Sequence, residues 1–145
     1  MRIAIAVTVA IAVGLVALTA RGFEAVTLAD YSGEELFGRF CASCHGESGR
    51  GDGPVAPSLR AAVADLTTIS ERYGEFPAAR IRETIDGRGL VITAHGTRVM
   101  PVWGYELFVE EGGDIVAQTA VRDAIARLVD HIRELDAGAE NASER

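Results

Sequence analysis

Cys41, Cys44 and His45 stand together in "RFCASCHGESGRGDGP", residues 39–54, a stretch that holds both cysteines of the chain. Two thiols in one short motif, with an imidazole directly after, admit three chemistries. A structural zinc site needs four ligands of the Cys or His type. The chain has no second cysteine pair, and its other histidines, His95 and His131, are isolated. A thioredoxin-like dithiol is the second reading, but that chemistry normally opens a helix after a strand, and the residues before Cys41 read as helix. The third reading uses every residue: both thiols add to the vinyl groups of a haem and the histidine becomes an axial iron ligand. C-x-x-C-H is the attachment signature of haem c.

A haem leaves a sixth coordination position to fill. The candidates are Met100, His95 and His131, since Met1 is the initiator. Met100 precedes Pro101, which fixes the backbone and stiffens the loop carrying the sulfur. Trp103 follows, and an indole beside a haem edge can exclude water. Five residues upstream of Met100, His95 in "ITAHGTRVMP" is the main rival ligand. A histidine and a thioether together favour ferrous iron and raise the reduction potential. With both axial positions filled, such a site exchanges single electrons and does little bond-making.

From about Tyr31 to Leu135 the chain resembles a small class I cytochrome c. Gly33 and Phe37 match the positions where that family's first helix packs against its last. Pro57 matches the proline whose carbonyl accepts a hydrogen bond from the proximal histidine, and Leu59 follows as an apolar haem-pocket residue. "VMPVWG", residues 99–104, looks like the family's distal loop with Met100 as iron ligand. His131 departs from the pattern, because an aromatic residue commonly holds that place. The resemblance implies an all-α, cytochrome c-like fold, with about four to five short helices wrapped around one haem c attached through Cys41 and Cys44.

The elements that must position these residues are legible in outline. Asp30 or Ser32 can cap a helix through "GEELFGRFCASC", with Glu34 and Glu35 in its favourable first turn. "GESGRGDGP" is too glycine-rich for regular structure, and "SLRAAVADL" can fold beneath the histidine. Residues 67–76 suit a helical turn ended by Gly74; Pro77 suits the start of a helix through "AARIRETI" stopped by Gly87. Arg88 and Arg98 are candidates to pair with haem propionates. Tyr105 to Gly113 reads as a surface excursion. The last helix carries Ile125, Leu128, Val129, Ile132 and Leu135 as one apolar stripe.

The N-terminus has one arginine, Arg2, then an uncharged run from Ile3 to Ala20 closed by Arg21. This is the pattern of an export signal, at the lower length limit for a membrane span. Cuts after Gly22 or after Ala29 both suit small-residue rules. The reading is therefore a signal peptide or N-terminal membrane anchor over 1–29, a cytochrome c domain over 30–136 and a flexible tail over 137–145. The location is periplasmic, soluble or anchored to the outer face of the cytoplasmic membrane with residues 3–20 as tether.

All 14 basic residues are arginine, and the formal net charge is −7. Losing residues 1–22 removes Arg2 and Arg21 and leaves 12 basic against 21 acidic residues, a net −9. Nucleic acid is not a partner for such a chain. A redox protein with a basic docking face is. The expected function is a monohaem electron-transfer protein, not an enzyme, shuttling between respiratory or other redox partners. The alternative is a dedicated cytochrome subunit of a larger membrane-associated redox enzyme. An open-site haem ligand-binding protein or minor peroxidase requires Met100 to be off the iron.

Overall fold

Ser32 starts the first helix. Its hydroxyl accepts from Glu35 N–H at 3.2 Å, and the Glu35 carboxylate accepts from Ser32 N–H at 2.8 Å. This reciprocal capping box satisfies backbone donors that have no intrahelical partner. In the computed structural model, which describes residues 26–89 and 99–143, six α-helices follow one another. They are α1 (Gly33–Phe40), α2 (Ala42–His45), α3 (Ile69–Tyr73), α4 (Ala78–Asp86), α5 (Trp103–Glu110) and α6 (Ile115–Ser143), with short 3-10 turns at Leu28–Asp30, Ala56–Ser58 and Leu66–Thr68. No strand occurs among the described residues, so the all-α class stands. Residues 1–25, residues 90–98 with His95 and Arg98, and the last two residues lie outside the described residues.

α6 organises the rest. It packs against α1, α4, α5 and the 3-10 turns Leu28–Asp30 and Leu66–Thr68. Its stripe of Val121, Ala124, Ile125, Leu128, Val129 and Ile132 is buried throughout, each large apolar side chain contributing about 1.5–3 kcal/mol of transfer free energy. α1 crosses this stripe at Gly33, where a Cβ would stand 2.3 Å from the Arg127 carbonyl oxygen and 3.1 Å from the His131 Cβ. One turn on, the Phe37 ring meets the His131 ring at 5.1 Å between centroids. The imidazole does the packing work that an aromatic residue does in the resembling family.

The structure departs from the sequence reading at three places. Residues 103–110 are helix α5, with Leu107 fully buried, not a surface excursion. Trp103, Gly104, Leu107 and Phe108 form a short i, i+1, i+4, i+5 inward face, which three glycines and three glutamates over residues 103–113 disguise. α6 runs on to Ser143, so residues 137–143 continue the helix beyond the boundary drawn at 136. Leu28, placed before the domain, belongs to its core. It is 3% exposed, its N–H donates to the Glu111 carboxylate at 2.9 Å, and its carbonyl accepts from Arg127 Nη2 at 2.8 Å.

Candidate functional site

α2 is a single helical turn, and a single turn is what the motif needs. Cys44 N–H and His45 N–H both reach back to the Cys41 carbonyl, at 3.1 and 2.9 Å. Positions i, i+3 and i+4 share one helical face, so the two sulfurs and the imidazole emerge side by side. The carbonyls at the end of this turn are met by the glycine-rich loop: Gly51 N–H donates to His45 O at 2.8 Å, Gly53 N–H to Cys44 O at 3.1 Å and Val55 N–H to Ser43 O at 2.9 Å. Gly53 is required by sterics, since a Cβ there would lie 2.5 Å from Ser43 O and 2.6 Å from Ala42 O.

Cys41, Cys44 and His45 open onto a cavity of about 490 Å³, within the usual range for cofactor sites. Leu59, Met100 and Trp103 line the same cavity. Phe37, Phe40, Ile69, Ile81, Ile85 and Ile132 supply its apolar wall. Trp103 is braced by Phe40, ring centroids 5.4 Å apart. Of Cys41, Cys44, His45, Pro57, Leu59, Met100 and Trp103, the structure brings all but one to this cavity.

The exception is Pro57. It is exposed, lies in the Ala56–Ser58 turn and does not border the cavity. The His45 imidazole Nδ1 donates to the Ala64 carbonyl instead, at 3.0 Å. The reason is the return of the chain along the glycine loop. Leu66 N–H donates to Gly49 O at 2.7 Å, and Gly51 lies against Val63 and Ala64 so closely that a Cβ would reach 2.6 Å from Val63 O. That packing brings the Ala64 carbonyl to the imidazole. Because a carbonyl only accepts, Nδ1 carries the proton, and Nε2 keeps the lone pair that a metal ligand needs.

Burial holds the His45 imidazole below the ordinary histidine range, partly opposed by the bond to Ala64, so the ring is neutral and ready to coordinate at pH 7. Burial, helped by the neighbouring Cys44, pushes the Cys41 thiol up to about 12. Both cysteines are free thiols.

Among the cations, Arg88 does not serve the cavity. Its guanidinium is held by Asp86, Nε to Oδ1 at 2.8 Å and Nη2 to Oδ2 at 2.7 Å, with Nη1 on Gln118. The aspartate two residues upstream was a visible competitor in the sequence. Arg72 and Arg80 border the cavity in its place, and Arg80 lies over the Tyr73 ring at 5.0 Å. His131 is behind Phe37, away from the cavity lining. An apolar cavity with two thiols and an imidazole on one helical face, a thioether on its lining and arginines at its border fits a haem.

The family model for cytochrome c oxidase, cbb3-type, subunit III matches residues 29–118. The cbb3-type cytochrome c oxidase subunit FixP of Azorhizobium caulinodans is 35% identical over 75 residues, which is 52% of this chain and 24% of that protein. The chain therefore covers about a quarter of the length of that relative. No solved structure matches.

Proposed function

The chain belongs to the cytochrome c oxidase, cbb3-type, subunit III family, and from that premise we propose that it is a dedicated electron-transfer subunit of a larger membrane-associated redox complex, carrying one haem on Cys41 and Cys44 with His45 and Met100 as axial ligands. The chain is a c-type cytochrome, and its cofactor is a covalently bound c-type haem. When bound, the group supplies a one-electron ferric/ferrous couple. The observation that carries the reading is the shared face of Cys41, Cys44 and His45 on a cavity that Met100 also lines.

Each residue has its task. Cys41 and Cys44 provide the two thioether sulfurs, and their free thiols are the form that adds to vinyl groups. His45 would hold the iron through Nε2 while its Nδ1–H donates to the Ala64 carbonyl. Met100 gives a soft thioether, which favours the reduced state. Leu59 and Trp103 keep water from the cavity. Arg72 and Arg80, on the cavity border, take the carboxylate-pairing role that Arg88, held by Asp86, does not.

The subunit reading is preferred to a free shuttle because both the family description and FixP name oxidase subunits. The complex lies at the outer face of the cytoplasmic membrane, with the domain in the periplasm. No helix among the described residues is long and apolar enough to cross a membrane; the apolar run over residues 3–20 is the proposed tether. The net charge of −7 favours a basic contact face on the partner.

The test is an absorption spectrum of the exported protein, oxidised and reduced, with and without carbon monoxide. Wild type gives a low-spin haem c spectrum with a methionine-to-iron charge-transfer band and no carbon monoxide response. Met100→Ala binds carbon monoxide and has a lower potential, whereas His95→Ala keeps the native spectrum. Ready carbon monoxide binding by wild type would refute His45/Met100 ligation. Mild detergent extraction decides the assembly: a stoichiometric partner supports the subunit, and a free monomer restores the shuttle.

A further inference from the structure

Asp136 directly follows Leu135 at the end of the apolar stripe of α6, where a carboxylate would ordinarily face water. Its side chain is instead 2% exposed. The carboxylate accepts from Ile69 N–H at 2.7 Å, from Ser70 N–H at 3.2 Å to each oxygen, and from the Ser70 hydroxyl. Ile69 and Ser70 are the first two residues of α3, whose own N-cap, Thr68, makes no side-chain capping bond. The first N–H groups of a helix have no intrahelical acceptor. Here they are met by a carboxylate 67 and 66 residues further along the chain. A helix of five residues has no stability of its own in water, so this cap decides where α3 sits.

From α3 the bonding continues to the axial histidine. Arg72 Nη1, one turn into α3, donates to the Asp65 carbonyl at 2.8 Å and also to the Thr68 hydroxyl. The Asp65 carboxylate accepts from Thr67 N–H at 2.8 Å and from the Thr67 hydroxyl at 2.7 Å. Ala64, next in line, presents its carbonyl to His45 Nδ1 at 3.0 Å. Residues 64–72 thus form one hydrogen-bonded unit, fastened to α6 at one end and holding the imidazole at the other.

We propose that Asp136 is a positioning residue for His45: by anchoring the 64–72 unit on the last helix, it sets the strength of the Ala64–His45 hydrogen bond and through it the reduction potential. The inference rests on His45 being the haem ligand. A strong bond at Nδ1 raises the basicity of the ligating nitrogen and stabilises ferric iron. Loosening the unit lengthens that bond and favours the ferrous state.

The experiment compares wild type, Asp136→Asn, Ser70→Ala and Ala124→Gly as full-length haem-loaded proteins. Ala124 is fully buried on α6 and precedes Asp136 by twelve residues, about 18 Å along the helix axis, so its variant lowers stability without touching the Asp136 cap. Three readouts are taken: thermal midpoint, reduction potential, and hydrogen exchange of the His45 Nδ1 proton by NMR in the reduced state. Asp136→Asn is expected to shift the reduced-to-oxidised ratio at fixed ambient potential towards reduced by about tenfold, a rise of about 59 mV for a one-electron couple, and to speed exchange of the Nδ1 proton. Ser70→Ala, the milder change, moves both readouts the same way by less, and serves if Asp136→Asn does not fold. Ala124→Gly lowers the thermal midpoint and leaves both unchanged. Asp136 and Ser70 variants with wild-type potential and exchange would overturn the proposal and leave Asp136 a structural cap. A wild-type protein without a histidine-ligated haem would instead overturn the functional reading beneath it.

Discussion

Gly33 and Arg127 meet backbone to backbone: a Cβ on the glycine would stand 2.3 Å from the arginine's carbonyl oxygen. The first and last helices cross at this point with no side chain between them. Gly33→Ala must push α1 off α6 and loosen the Phe37–His131 contact. We expect a loss of about 1–3 kcal/mol, the usual cost of overpacking, read as a lower denaturant midpoint. An unchanged midpoint would mean that the helices do not cross there.

Leu28 is fastened from two sides, by Glu111 to its N–H and by Arg127 to its carbonyl. Leu28→Ala should cost about 2–5 kcal/mol, as for other buried leucines. A chain beginning at Asp30 should melt below one beginning at Val26. Equal melting curves would place Leu28 outside the cooperative unit and restore a domain boundary at 30.

Asp86, the last residue of α4, holds Arg88, whose Nη1 reaches Gln118 on α6. Its bonds to Arg88 hold the carboxyl below its ordinary value of 3.8, with burial working the other way. A carboxyl depressed by folding adds stability above its unfolded value, and this stability disappears as pH falls through the folded value. Asp86→Asn should therefore be less stable than wild type near neutrality, by no more than about 1 kcal/mol for a pair open to solvent. The gap should close below about pH 4. Denaturant midpoints measured from pH 7 to pH 3 give the answer, and a gap that widens in acid would reverse the sign argued here.

Arg80 borders the haem cavity and stacks on Tyr73. A cation near the iron disfavours the more positive, oxidised state. Arg80→Gln should lower the reduction potential, opposite in sign to Asp136→Asn, and the difference should shrink with added salt because the side chain is exposed. A potential insensitive to both the substitution and salt would remove Arg80 from the site.

Periodicity and local motif chemistry made part of this molecule readable in advance. The stripe of α6, the close approach at Gly33, the stops at Gly74 and Gly87, and the convergence of Cys41, Cys44, His45, Leu59, Met100 and Trp103 follow from spacing and from the family resemblance. Three features did not, each for a physical reason. The acceptor for His45 is a backbone carbonyl, which has no residue signature, so Pro57 was taken where Ala64 serves. Arg88 is claimed by Asp86 before it can reach the cavity. Asp136 looks like the polar end of an amphipathic helix, because its partners Ile69 and Ser70 are remote in sequence.

The near-complete burial of Cys41, 8% exposed, bears on the order in which the protein is made. α6, synthesised last, packs against α1, the helix that ends at this cysteine. The C-x-x-C-H turn precedes that helix, Ile115–Ser143, in the chain, and contacts so distant along the chain form late. Thioether formation therefore has a time window that closes when the final helix docks. A chain that folds before the cofactor arrives presents Cys41 only through the cavity that it lines with Cys44 and His45.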